Sequence, residues 1–204
     1  MSLVDTYADR IDWQDDGSAI FTLRRPLKTS AGGDVETLTV RRPLLEDMLA
    51  REKAAGDDFS KIVIVLTRVT GVSKMAEFDK IDGEDCMVLA EIMSQMLEYG
   101  EPGTVLDRHE ERLTMTDHDA SLLLRLPIKT LQGEADEIVV RRPTLGEVRT
   151  NQGPTLAASV KLLAILTGLG PNVLGKVDAV DGMIMSDLVK SFLGKSRQQT
   201  VGAQ

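Results

Sequence analysis

The sequence of 204 residues has one cysteine, which excludes an internal disulfide framework and any cysteine-rich zinc site. Aromatics are scarce at 3%, so a core must be built from Leu, Val, Ile, Met and Ala. Basic excess is lacking as well. The net charge of −8 argues against general attraction to nucleic-acid phosphates. No apolar run reaches the roughly 18 residues of a membrane span. The opening MSLVDTYADR has neither the basic start nor the apolar stretch of a signal peptide. The expectation is a soluble, intracellular protein that is not a catalyst. At 42% hydrophobic and 27% charged, the chain is able to bury a core.

What the sequence does contain is a repeat. Residues 23–48 read LRRPLKTSAGGDVETLTVRRPLLEDM, and residues 124–148 read LRLPIKTLQGEADEIVVRRPTLGEV. Pro26, Lys28 and Thr29 match Pro127, Lys129 and Thr130, and Arg41-Arg42-Pro43 matches Arg141-Arg142-Pro143. Further on, LTRVTGV at 66–72 parallels LAILTGL at 163–169, and KIDGED at 80–85 parallels KVDAVD at 176–181. Two similar domains are expected, 1–102 and 103–204, joined at the turn-rich GEPG of 100–103. Charge separates them: residues 1–103 carry 20 acidic and 12 basic side chains, while 104–204 carry 12 of each.

Each unit reads as α+β, a small antiparallel hairpin or meander followed by a three-helix segment. Apolar residues alternate over 19–23 and 38–42, and over 122–126 and 138–142, the period of a half-buried strand. An earlier strand at 10–14, turning at Asp15-Asp16-Gly17-Ser18, has its counterpart at 112–116. Pro43 and Pro143 suit the first turn of helices over 44–55 and 144–150. Helices over 59–70 and 155–167 close at Gly71 and Gly168, and the last helices run over 83–99 and 181–193. Asp82 and Asp178 give acidic N-terminal signals that complement the helix dipole. From about 195 the tail is polar and expected to be disordered.

A search for chemistry finds no catalytic constellation. His109 and His118 lie in polar sequence and read as solvated, and the first repeat has no histidine. Cys86 faces Gly182 in the alignment and reads as a small buried hydrophobe. The acidic pairs Asp15/Asp16, Asp57/Asp58 and Glu110/Glu111 read as solvated turns or helix starts rather than acid–base pairs. The stretch GLGPNVLG at 168–175 follows a helix rather than a strand, so it reads as a helix stop and not a phosphate loop. No metal or cofactor is expected. The repeated arginine pairs Arg41/Arg42 and Arg141/Arg142, with Arg24-Arg25-Pro26, have three readings. They protect strand ends while proline stops the ladder, they pair with acidic partner segments, or they form a basic patch for nucleic acid.

Charged-residue–proline entries RRPLLEDM and RRPTLGEV, apolar helices ending in TGV or TGL, and final helices after KIDGED or KVDAVD stand in one order, twice. That order resembles the small tail assembly chaperones of long-tailed phages, the E-type family typified in Mu-like phages. The chain resembles two such proteins in tandem. The resemblance implies a non-catalytic protein that binds the tape-measure protein and keeps it soluble while tail tube protein polymerises around it. It implies the host cytoplasm as the place of work, absence from the mature virion, and a family habit of longer frameshifted products.

Methionine-rich helical faces suit irregular partners. The expected contact face is therefore Met87, Ile92, Met93 and Met96 in the first repeat, with Met183, Leu188, Phe192 and Leu193 in the second. The competing reading is that these side chains fill a core that has few aromatics. Tape-measure protein and tail tube protein are the implied partners; nucleic acid and membrane are not expected. A permanent structural or adaptor subunit, self-associating through sheet edges, is the alternative function, followed by a nucleic-acid-binding regulator.

Overall fold

A computed structural model describes residues 2–30, 33–72, 74–98, 101, 104–151 and 153–201, with backbone alone beyond Gly194. The GEPG turn expected at 100–103 falls largely outside these residues. The chain divides into two compact units: unit 1 is Met1–Pro43 with Asp47–Gly100, and unit 2 is Leu44–Glu46 with Glu101–Gln204.

Unit 1 opens with α1 (Leu3–Thr6), held by a capping box between Ser2 and Asp5. A 3-10 turn at Ala8–Arg10 leads into a meander of β1 (Ile11–Trp13), β2 (Ala19–Lys28) and β3 (Asp34–Val40), antiparallel in the order β1-β2-β3. The β1–β2 turn carries Gly17 at φ 76°, and Asp16 accepts the Ser18 N–H at 2.9 Å. Helices α2 (Leu45–Lys53), α3 (Asp58–Thr70), α4 (Met75–Phe78) and α5 (Gly83–Met96) follow. Asp57 caps α3 by accepting the Ser60 N–H at 2.8 Å, and Gly71 ends it in the left-handed region at φ 69°. The alternation read from the sequence becomes a buried sheet face. Ala19, Phe21 and Leu23 on β2, with Leu38 and Val40 on β3, meet Val65, Leu66 and Val69 of α3 and Leu89 and Ile92 of α5 in the core.

Unit 2 repeats this plan with α6 (Val105–Arg108), a 3-10 turn at Glu110–Arg112, then β4 (Leu113–Met115), β5 (Asp119–Thr130) and β6 (Gly133–Arg141) in the order β4-β5-β6. Helices α7 (Leu145–Asn151), α8 (Leu156–Thr167), α9 (Pro171–Leu174) and α10 (Ala179–Val201) follow. Thr155 caps α8 through the Ala158 N–H, and Gly168 ends it at φ 69°. The core joins Ala120, Leu122, Ile138 and Val140 to Leu163, Leu166, Ile184 and Leu188.

Four features differ from the sequence expectation. Pro43 and Pro143 precede the first helical residue by two positions instead of occupying the first turn. The one-turn helices α1, α4, α6 and α9 are too short for any periodicity to reveal. Backbone helix continues through Val201, over much of the tail expected to be disordered. Pro26 does not stop a strand: β2 and β5 run through Pro26 and Pro127, with a register break between Thr22 and Leu27 and between Leu123 and Ile128. A proline lacks the ladder donor, so a bulge is where a strand tolerates it.

That break serves a second purpose in both units. At the bulge the Arg24 N–H donates to the Asp85 carboxylate at 2.7 Å, and the Arg10 guanidinium pairs with the same carboxylate at 2.6 Å. Unit 2 repeats the lock: the Arg125 N–H reaches Asp181 at 2.8 Å and Arg112 pairs with it at 2.6 Å. Arg10 and Arg112 also donate to the carbonyls of Thr22 and Leu123. Asp85 and Asp181 are both fully buried. Each therefore stitches the first turn of the last helix to the middle of the sheet. Burial pushes the Asp181 carboxyl above its ordinary value, against the opposing pull of the Arg125 N–H and Arg112.

Candidate partner-binding site

The methionine-rich helices turn out to be core in large part. Ile92, Met93 and Met96 are buried in unit 1, and Leu188 and Phe192 in unit 2. These five side chains are buried within their own units. A composition with few aromatics needs long flexible side chains to fill its interior, and methionine does this. Met87 is 48% exposed, while Met183 and Leu193 are half-buried. Leu193 lines a groove of about 240 Å³ with Val148, Leu162 and Val189.

The arginine pairs are turned to internal work. Arg41 grips the buried Asp47 at 2.7 and 3.1 Å, and Arg68 joins the same carboxylate at 2.6 Å. Arg42 donates to the Met96 carbonyl at 2.9 Å. In unit 2 Arg141 holds Glu147, and the Arg142 guanidinium lies 5.0 Å from the centre of the Phe192 ring. Arg141 and the Thr144 N–H bring the Glu147 carboxyl down to about 2.

His118 is exposed as expected, but His109 is buried, with its Nε2 3.3 Å from Arg125. It stands where unit 1 has Tyr7, whose ring lies 5.5 Å from the Arg10 guanidinium, so the position packs a ring beside the lock. Cys86 is buried, which pushes its thiol up. Among the described residues no group of three His, Cys, Asp or Glu side chains could hold a metal ion, and no helix is long and apolar enough to cross a membrane.

What the sequence did not suggest is a groove that occurs twice, between the turn end of the hairpin and the C-terminal end of the second long helix. In unit 1 it measures about 370 Å³ and is lined by Thr29, Thr37, Thr39, Thr70 and Glu77, with Leu38 and Val72. In unit 2 it measures about 420 Å³, and the matching positions are Thr130, Glu137, Val139, Thr167 and Val173, with Ile138 and Leu169. The mouths differ. Glu77 accepts the Ser30 N–H at 2.9 Å and also the Ser30 hydroxyl, and these donors hold its carboxyl below the ordinary value. Lys74 donates to the same hydroxyl at 2.6 Å. In unit 2 the places of Ser30 and Glu77 are taken by Leu131, fully exposed, and Val173. Val139 and Leu123 add apolar surface at 51% exposure each. The second groove therefore presents Leu131, Val139 and Val173 beside Thr130, Gln132, Glu137 and Thr167.

Residues 20–98 match the family described as phage tail assembly chaperone proteins, E, or 41 or 14. That stretch is less than half of the 204 residues, and over it the chain is similar to that family. The match runs from β2 through β3 to the last helix of unit 1, and unit 2 repeats the architecture of unit 1 element for element. No curated protein and no solved structure matches the chain.

Proposed function

We propose that this tandem chaperone binds the tape-measure protein in the host cytoplasm and keeps it soluble while the tail tube assembles, then leaves before the virion is complete. The observation that carries the proposal is the chaperone-family match over residues 20–98, on a unit that occurs twice in one chain. The physics supports it. Tape-measure proteins are long and rich in amphipathic helix, so before assembly they expose apolar stripes that a helix-in-groove contact covers. Two modules on one chain raise apparent affinity through effective concentration. The groove of unit 2, with Leu131, Val139, Leu169 and Val173, is the proposed seat for such a stripe, and Met87, Met183 and Leu193 are the proposed contacts from the last helices. The other residues of the methionine-rich face are buried, which favours a packing role for them.

The test is co-expression with the longest helix-rich protein encoded beside this chain, followed by sizing of the soluble fraction. A partner that becomes soluble only in a defined complex supports the proposal. A partner that stays insoluble, with this chain present in fixed number in finished particles by mass spectrometry, replaces it with a permanent structural subunit.

A further inference from the structure

Unit 2 is completed by Leu44–Glu46, which lies against residues 175–182. The Leu45 N–H donates to the Val177 carbonyl at 2.9 Å and the Glu46 N–H to the Gly175 carbonyl at 3.0 Å, while Leu44 forms an antiparallel bridge with Asp178. Leu45 is 2% exposed. A Cβ placed on Gly182 would lie 2.8 Å from Leu45 Cδ1, so the missing side chain is what makes room for the leucine. Under this cover Val177, Asp178, Ala179 and Val180 are all buried.

The repeat supplies both halves of this contact again, and leaves them apart. Leu145 is the counterpart of Leu45 and is 73% exposed. Residues 79–86 of unit 1 are the counterpart of 175–182. There Ile81, Asp82 and Glu84 are half-buried and Gly83 is exposed, where unit 2 has closed surface. One chain therefore carries an unseated leucine on unit 2 and an uncovered seat on unit 1.

We propose that Leu145 of one copy docks on residues 79–86 of a second copy of this chain. Because knob and seat are different surfaces, the association is head-to-tail and does not stop at two. Two substitutions set its strength. Cys86 stands where unit 2 has Gly182, so the leucine sits shallower, against a thiol instead of in a vacated space. Gly146 stands where unit 2 uses Glu46, so the Glu46–Lys176 pair, 2.8 Å and largely exposed, has no equivalent; such a pair adds little. The contact is weak, reversible and concentration-dependent. It does not rest on tape-measure binding, and a chain that fails one test can pass the other.

The experiment uses the full chain and light scattering over a concentration series. The native chain should gain about twofold or more in weight-average mass as concentration rises, and Leu145→Asp should stay monomeric with an unchanged thermal melt. A second variant fixes the address. Leu145→Cys places a thiol beside the chain's only native one, and a thiol oxidant such as diamide, taking up two electrons, should link Cys86 of the next copy into a covalent ladder. The ladder should vanish in Leu145→Cys/Cys86→Ser. A native chain that stays monomeric at every concentration, or a Leu145→Cys chain that diamide links no further than a dimer, overturns the proposal.

Discussion

Asp85 in unit 1 and Asp181 in unit 2 accept the same two donors, a bulge N–H and an arginine from the turn before the sheet, at distances within 0.1 Å of each other. A few residues away the two copies part company. Unit 1 closes its hairpin tip with Ser30, Glu77 and Lys74, whereas unit 2 presents Leu131 and Val173 at the same places. The interior keeps one construction, while at the groove Ser30, Thr39 and Glu77 give way to Leu131, Val139 and Val173, and Thr37 to Glu137. The charge difference follows the same division, since the whole excess of acid lies in the first half.

The comparison breaks most sharply in the cores. Met96→Glu in unit 1 and Met185→Glu in unit 2 bury an unpaired carboxylate, and each should unfold its own unit at neutral pH. Loss of amide-exchange protection confined to the substituted unit is the expected readout. If either variant stays fully protected, its helix face is surface after all. Asp85→Ala and Asp181→Ala come next. Each leaves a bulge N–H and a guanidinium without their carboxylate, at a cost of about 3–5 kcal/mol in the unit concerned. Equal losses by urea unfolding with unit-resolved exchange would confirm a common lock, and a loss in one unit alone would break the equivalence.

Smaller effects sharpen the same contrast. Thr155→Ala should cost about 1 kcal/mol, and Asp57→Ala should destabilise the start of its helix in the same way, because each side-chain oxygen satisfies a first-turn N–H. The last difference is one of acid response. Glu147 titrates near 2 in the folded chain against an ordinary 4.5, so its contribution is present above about 4.5 and is lost as pH falls toward 2. Glu147→Gln should flatten the acid limb of unit 2 across that window, followed by exchange or tryptophan-independent circular dichroism; an unchanged limb would mean that Arg141 does not hold this carboxylate in solution.

Much of this organisation is legible in the chain. Alternation at 19–23 and 122–126, glycine stops at 71 and 168, and the doubled order of motifs give the meander and the long helices. The lock is not legible, because Arg24 and Asp85 are 61 residues apart and only tertiary packing joins them. The methionine face shows a different limit. Helical spacing tells that Ile92, Met93 and Met96 share a side, but not whether a sheet or a partner covers it. The grooves escape sequence reading for a related reason: Leu131 and Val173 belong to a turn and a one-turn helix, where no periodicity marks them.

The most direct test of the central claim is amide-exchange mass spectrometry of this chain alone and with the tape-measure protein. The account predicts new protection over residues 130–139 and 167–173 of unit 2, and less over 29–39 and 70–72 of unit 1. Leu131→Asp/Val139→Asp should remove that protection and the partner's solubility together while both units stay folded. Protection confined to unit 1, or a complex unaffected by the paired substitution, would contradict it.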